Sequence, residues 1–305
     1  MRMTIELASP AVRRAYLIGL GIAITGAVLF SAKAIVAKLL YRYHVDAVTV
    51  LAFRMLFSVP FFAAIALWQS LTAAPLTNGE RLRIVLLGLI GYYLSSFLDF
   101  LGLQYISAGL ERLILFLTPS FVLLISFFFL RKKISAVEWA ALCIAYAGTV
   151  LVFLHDVKLG GSNVALGSAF VFASALAYAA YLLLSGELVR RVGALRLVAY
   201  AMCVSSVACI AQFFLLRPAS MLVQPVEVYW LSLVNATFCT VFPVFLTMVA
   251  VSRVGAASTS QAGMIGPVST LFLGAIILGE PVTAIQLCGT ALVLAGMYLL
   301  SRKKI

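Results

Sequence analysis

The sequence predicts an all-α polytopic membrane protein of ten transmembrane helices, arranged as two inverted five-helix repeats. Three observations carry that prediction. Of 305 residues, 64% are hydrophobic and only 10% charged, with a mean hydropathy of +1.13, whereas a water-soluble domain carries about a quarter charged residues. The apolar residues fall in ten helix-length runs, each near the roughly 20 residues that a bilayer crossing needs. Shifted by 148 residues, the chain also lies over itself without a gap: Gly19 falls on Gly167, Arg42 on Arg190, Ser58 on Ser206, Phe97 on Phe245, Pro119 on Pro267 and Gly148 on Gly296. Weak internal symmetry in so apolar a chain marks a secondary transporter whose site lies between its repeats.

Taken in order, the first repeat (1–157) has runs near 14–38, 47–69, 84–105, 109–130 and 135–154. The second (158–305) has runs near 164–186, 197–216, 228–250, 258–279 and 284–301. Helices alone satisfy their own backbone in lipid at this composition, and the runs are too long and too uniformly apolar for a barrel. The first run is retained rather than cleaved as a signal peptide. Arg13-Arg14 precede it and Ala32-Lys33-Ala34 mimic a cleavage site, but it outlasts a normal signal core and its repeat partner is a helix. The longest connections, near 70–83 and 155–163, hold turn residues such as Pro75, Asn78-Gly79 and Gly160-Gly161.

Lysines and arginines orient the chain. Fifteen fall on the side of the amino terminus, among them Arg81, Arg83, Arg131, Lys132, Lys133, Arg190, Arg191 and Arg196, against five on the other. That asymmetry places both termini in the cytoplasm. Five helices per copy then require the second copy to be inverted. Arg131-Lys132-Lys133 in the first corresponds to Gly279-Glu280-Pro281 in the second, where no basic residue remains. The formal net charge of +12 is thus a matter of topology, and nucleic acid is not a partner. The partners implied are a small-molecule substrate and the lipid bilayer, with the chain a monomer.

No catalytic constellation, metal site or cofactor motif is present. The two histidines, His44 and His155, sit at span ends, and no zinc-protease, nucleophile-elbow or phosphate-loop pattern occurs. The five cysteines (143, 203, 209, 239 and 288) lie inside apolar runs and read as small buried hydrophobes. The chain is not read as an enzyme.

Ionisable groups inside spans are the sharper signal, because each is costly unless paired or wet. Lys33, Arg54 and Asp99 lie in the outer parts of helices 1, 2 and 3, roughly 5–10 Å from mid-span at 1.5 Å per residue. Similar depth lets Asp99 pair with Lys33 or Arg54, with Arg54 read as a structural charge that snorkels. Glu111, Arg112 and Glu187 stand at helix ends and read as solvated charges. Helix 3 presents Gly88, Tyr92, Ser96 and Asp99 as one stripe, and helix 8 offers Thr240 and Thr247 on the matching face. Helix 1 carries Gly19, Gly26, Phe30 and Lys33, and helix 6 Gly167, Ser174, Tyr178 and Tyr181. With Gln261 and Met264 these faces define an expected central cavity for an apolar or amphipathic ligand. Pro119 and Pro267, mid-span in helices 4 and 9, are expected gating kinks, with Pro243 a further bend in helix 8. Gly148-Thr149, Gly289-Thr290, Ala141, Ala145, Ala291 and Ala295 give helices 5 and 10 small-residue seams.

Two five-helix repeats, a proline in each fourth helix, Leu-Gly-Glu-Pro at 278–281, a glycine late in each fifth helix and Arg54 early in helix 2 together resemble the ten-helix EamA-type branch of the drug/metabolite transporter superfamily. Within it the chain is most similar to bacterial aromatic amino acid exporters. The resemblance implies a bacterial inner-membrane carrier exporting amino acids or similar small metabolites by alternating access. The superfamily's nucleotide-sugar and phosphorylated-metabolite carriers, and a passive channel, are the alternatives. The first repeat departs from the pattern, with Lys132 where the second has Glu280.

Overall fold

The computed structural model describes residues 10–131, 133–160 and 163–302. Lys132, like Gly161 and the terminal Arg2, Lys303 and Lys304, lies outside them. Among the described residues, ten helices are long and apolar enough to cross a membrane: α1 (Arg14–Tyr41), α2 (Ala47–Thr72), α3 (Asn78–Leu103), α4 (Ala108–Phe129), α5 (Ala136–Lys158), α6 (Asn163–Val192), α7 (Ala194–Leu216), α8 (Val226–Gly255), α9 (Ser258–Leu278) and α10 (Ala284–Ser301).

Several begin where a side chain caps them. Asp46 accepts from Thr49 N at the start of α2, and Ser107 accepts from Leu110 N at the start of α4. Thr77 and Glu80 form a reciprocal capping box that opens α3 at Asn78. That box corrects the sequence reading, in which Asn78-Gly79 is a turn in a loop reaching residue 83. The same device recurs in both copies: Ser135 and Glu138 bond each other's backbone before α5, and Thr283 and Gln286 do so 148 residues on, before α10. α6 runs past its apolar stretch to Val192, carrying Glu187 and Arg190 in its last turns.

The packing interlaces the two copies. α1 lies against α8 and α9 of the second copy, and α6 lies against α3 and α4 of the first. α2 pairs with α7, and α5 with α10. In the last pair the backbones touch: a Cβ on Gly148 would sit 2.5 Å from Gly289 O, and one on Gly289 2.7 Å from Gly148 O. Ala141 and Ala145 share this seam, buried to 1% exposure each. Ala291 and Ala295 do not; both face outward. Cys143 and Cys288 are exposed as well, whereas Cys209 and Cys239 are buried as expected. Facing lipid, an apolar side chain needs no protein neighbour to escape water.

The helices are packed unequally along their length. At one end the stretches Ala47–Met55 of α2 and Ala108–Ile114 of α4 are buried residue by residue, and Ala34 to Ala37 of α1 join them. Toward its other end α1 is exposed at Leu17, Ile18, Ile24 and Phe30, and Thr247 and Gln261 are exposed on α8 and α9.

Candidate functional site

At the tightly packed end, five ionisable side chains from four helices share the interior. Lys33 of α1 forms ion pairs with Asp99 of α3 and, at 3.4 Å, with Glu111 Oε1 of α4. Arg112, next along α4, donates to Ser31 Oγ at 3.0 Å, and Ser31 donates to Gly266 O of α9 at 3.1 Å. Arg54 of α2 donates through Nε to Thr240 Oγ1 of α8 at 2.8 Å. Two aromatic rings hold the cations: Phe30 lies 5.5 Å from Lys33 Nζ and 4.8 Å from Arg112 Cζ, and Phe100 lies 5.6 Å from Lys33 Nζ and 5.2 Å from Arg54 Cζ. Cation–π contacts of this kind are strongest where water is excluded.

Of the two partners the sequence allows for Asp99, the ion pair takes Lys33. Arg54 does not snorkel; it is 6% exposed and held by a hydroxyl and a ring. Glu111 and Arg112 correct the sequence reading more sharply. Their place at a helix end predicts solvated charges, yet their exposures are 0% and 8%. The start of α4 packs against α1 and α9, so its first turn is interior. Glu187 behaves as expected, exposed and 3.6 Å from Arg83.

The network is under-satisfied. Both carboxylate oxygens of Glu111, Oδ1 of Asp99, Nη1 of Arg54 and Nε of Arg112 are buried without a hydrogen-bond partner. A native interior rarely leaves such groups open. Together they offer acceptors for an ammonium and donors for a carboxylate within one site.

The polar stripe on α3 holds at Asp99 but not at Ser96. Residues Leu89–Leu94 form a π-helical turn, which inserts an extra residue into the helix and rotates the side chains beyond it. Ser95, not Ser96, meets α6: its Oγ lies 3.1 Å from Ser174 Oγ, and Ser174 donates to Ser95 O at 2.7 Å. Ser96 is half-buried. The equivalent segment of α8, Thr237–Val241, is also π-helical. Thr240 closes back on the carbonyl five residues earlier, Asn235 O, at 2.9 Å, while it receives Arg54.

The tyrosines expected to line a cavity pack on one another. Tyr92 and Tyr181 rings stand 5.1 Å apart, Tyr178 and Tyr181 5.5 Å, and Tyr181 donates to Tyr92 Oη at 3.3 Å. Met264 borders the core between α4, α5 and α6. Both expected kinks come just after a break in their helix. Leu117 opens to ψ −5° before Thr118-Pro119, and Met264 to ψ −14° before Gly266-Pro267. Above the charge network lies a cavity of about 300 Å³ lined by Lys38, Tyr41, Arg42 and Glu280 among others. There Lys38 pairs with Glu280 at 3.7 Å, Arg42 donates to Leu278 O at 2.7 Å, and Glu280 accepts from Ala108 N at 3.4 Å.

A family model, the EamA-like transporter family, matches this chain twice, over residues 17–154 and 165–302. A Bacillus subtilis protein named as an uncharacterized transporter, YcbK, is 33% identical over 87% of this chain and 86% of its own length. An uncharacterized transporter of Archaeoglobus fulgidus is 27% identical over 78% of this chain and 86% of its own. A crystal structure shares the fold with a TM-score of 0.62 at 18% identity, covering 93% of this chain and 98% of the other.

Proposed function

This chain belongs to the EamA-like transporter family of the drug/metabolite transporter superfamily, and we propose that it is a secondary transporter exporting amino acids, aromatic and other neutral ones foremost, by alternating access. The observation that carries the reading is the under-satisfied charge network between α1, α2, α3 and α4, capped by α8 and α9 of the other copy. A zwitterion matches it: its ammonium suits Glu111, whose Oε2 lacks a donor, and its carboxylate suits Arg112 and Arg54, whose spare N–H groups lack acceptors. Phenylalanine rings beside the network, Phe30 and Phe100, favour ligands with apolar side chains. A phosphorylated ligand fits less well, because three cations set against two carboxylates leave one surplus positive charge for a phosphate of roughly −1.5 to −2.

The repeats 1–157 and 158–305 form one membrane unit, inverted relative to each other in the bacterial inner membrane with both termini cytoplasmic. On this reading the tight end, with Glu280, is the external gate, closed. Pro119 and Pro267 are its hinges, and Phe30, Thr247, Gln261 and Met264 border the inner opening. Impermeant thiol labelling at Lys132→Cys and Glu280→Cys, on a background free of native cysteines, checks the orientation; only the second should react in intact cells.

Counterflow in proteoliposomes tests the function. Trapped unlabelled phenylalanine, tyrosine, tryptophan, threonine or methionine should accelerate uptake of the labelled amino acid. Acceleration by phosphorylated sugars alone would refute the substrate class, and downhill flux without counterflow would point to a channel.

A further inference from the structure

A second site lies at the opposite end of the molecule, away from the charge network. Between the first turns of α3 and α7 is a cavity of about 430 Å³, lined by Arg81, Ile84, Val85, Arg196, Tyr200 and Val204 among others. Its two guanidiniums are placed unfavourably. Each stands in the first turn or just beyond it, where the helix dipole disfavours a cation. The acids nearby are engaged elsewhere: Glu80 pairs with Arg191 at 3.0 Å and caps α3 at Thr77, and Glu187 pairs with Arg83. Arg196 is 6% exposed; Nη1 donates to Ala74 O at 2.8 Å, its face lies 5.7 Å from the Tyr200 ring, and its Nε is buried with no acceptor. Among the described residues, no carboxylate lines the cavity.

We propose that this cavity binds the phosphate of an anionic phospholipid headgroup, with Arg81 and Arg196 as its clamp. A forked guanidinium matches phosphate oxygens, and the missing acceptor at Arg196 Nε is what a phosphate would supply. The walls suit a lipid: Ile84, Val85 and Val204 continue the cavity along the helices toward the apolar spans. Arg83, Arg190 and Arg191 at the same end would draw anionic lipid toward it. Basic pockets between helix ends at a membrane surface hold anionic headgroups in this way. Such a site is independent of what the transporter carries.

The test is lipid retention by native mass spectrometry and melting of the delipidated full chain in neutral detergent. It is titrated separately with phosphatidylglycerol, phosphatidylcholine and inorganic phosphate. Phosphatidylglycerol should bind about tenfold more tightly than phosphatidylcholine and raise the melting point. Arg81→Gln with Arg196→Gln should abolish that preference, and Arg83→Gln with Arg190→Gln, which removes equal charge outside the cavity, should keep it. Arg81 is exposed, so Arg81→Glu alone serves if the double variant folds poorly; it too should lose the preference. Stabilisation by inorganic phosphate as great as by the lipid, lost in the same variants, would support the phosphate clamp but assign it to a soluble anion. Cavity variants indistinguishable from the parent with both ligands overturn the proposal.

Discussion

The two copies share a fold but not a chemistry. The five ionisable residues of the buried network, Lys33, Arg54, Asp99, Glu111 and Arg112, all belong to the first copy. At the positions 148 residues on stand Tyr181, Met202, Thr247, Thr259 and Ser260. The second copy forms the same five helices, the same π-helical turn and the same capped fifth helix without a single one of those charges. The fold therefore does not require them. On the proposed function, charges that burial makes costly and that the neutral copy does without serve to bind the ligand.

If that comparison holds, the largest effect should come from removing one member of the charged set. Lys33→Met removes the cation paired with both Asp99 and Glu111, and loss of one partner of a buried pair costs about 3–5 kcal/mol. We expect little monodisperse protein in detergent and no counterflow. Lys33→Met with Asp99→Asn should recover much of the yield but not the transport; equal yields for single and double variants would show the pairing to be unimportant. Tyr181→Phe, at the equivalent position of the second copy, loses only one tyrosine–tyrosine bond and should leave yield within the range of the parent.

Next comes Gly266→Ala. Its Cβ would lie 3.1 Å from Arg112 Nη2 and 3.3 Å from Arg112 Nε, so the guanidinium must give way. Transport is expected to fall by about tenfold, as 1.4 kcal/mol of misplacement implies, with melting little changed. Thr118→Ala, the matching position in the first copy, should transport normally; equal losses at both positions would mean that helix 4 and 9 packing, and not Arg112, is at stake.

A smaller effect is expected at Thr240→Val, which leaves Arg54 Nε without its acceptor. An unmet buried donor costs about 1–3 kcal/mol, read as a lowered melting temperature. The smallest belongs to the Lys38–Glu280 latch. Lys38 and Glu280 side chains are 23% and 24% exposed at 3.7 Å, and a partly solvated pair of this kind contributes under about 1 kcal/mol. Glu280→Gln should leave stability unchanged while increasing labelling of a cysteine placed at Gln104, in the cavity beside it.

Much of this was legible in the chain. Ten apolar runs, the 148-residue offset and the pairing of Asp99 with Lys33 or Arg54 come from composition, periodicity and depth, and the structure takes Lys33. The opening of α3 was legible too, in Thr77-x-x-Glu80, though turn residues beside it drew the boundary too late. The burial of Glu111 and Arg112 was not, since a charge pair at the start of an apolar run looks the same whether water or another helix covers it.

The helices, their caps and their two-copy order are written in the sequence, because these rest on interactions among residues a few positions apart and on the bilayer's demand for apolar length. Three things were settled only by packing in space: that α1 and α9 pack against the start of α4 with Glu111 inside, that Arg54 meets Thr240 and not Asp99, and that Ser95 meets Ser174. Which side chain meets which depends on crossing angle and helical phase. A π-helical turn of one extra residue changes that phase while leaving hydropathy and spacing as they were.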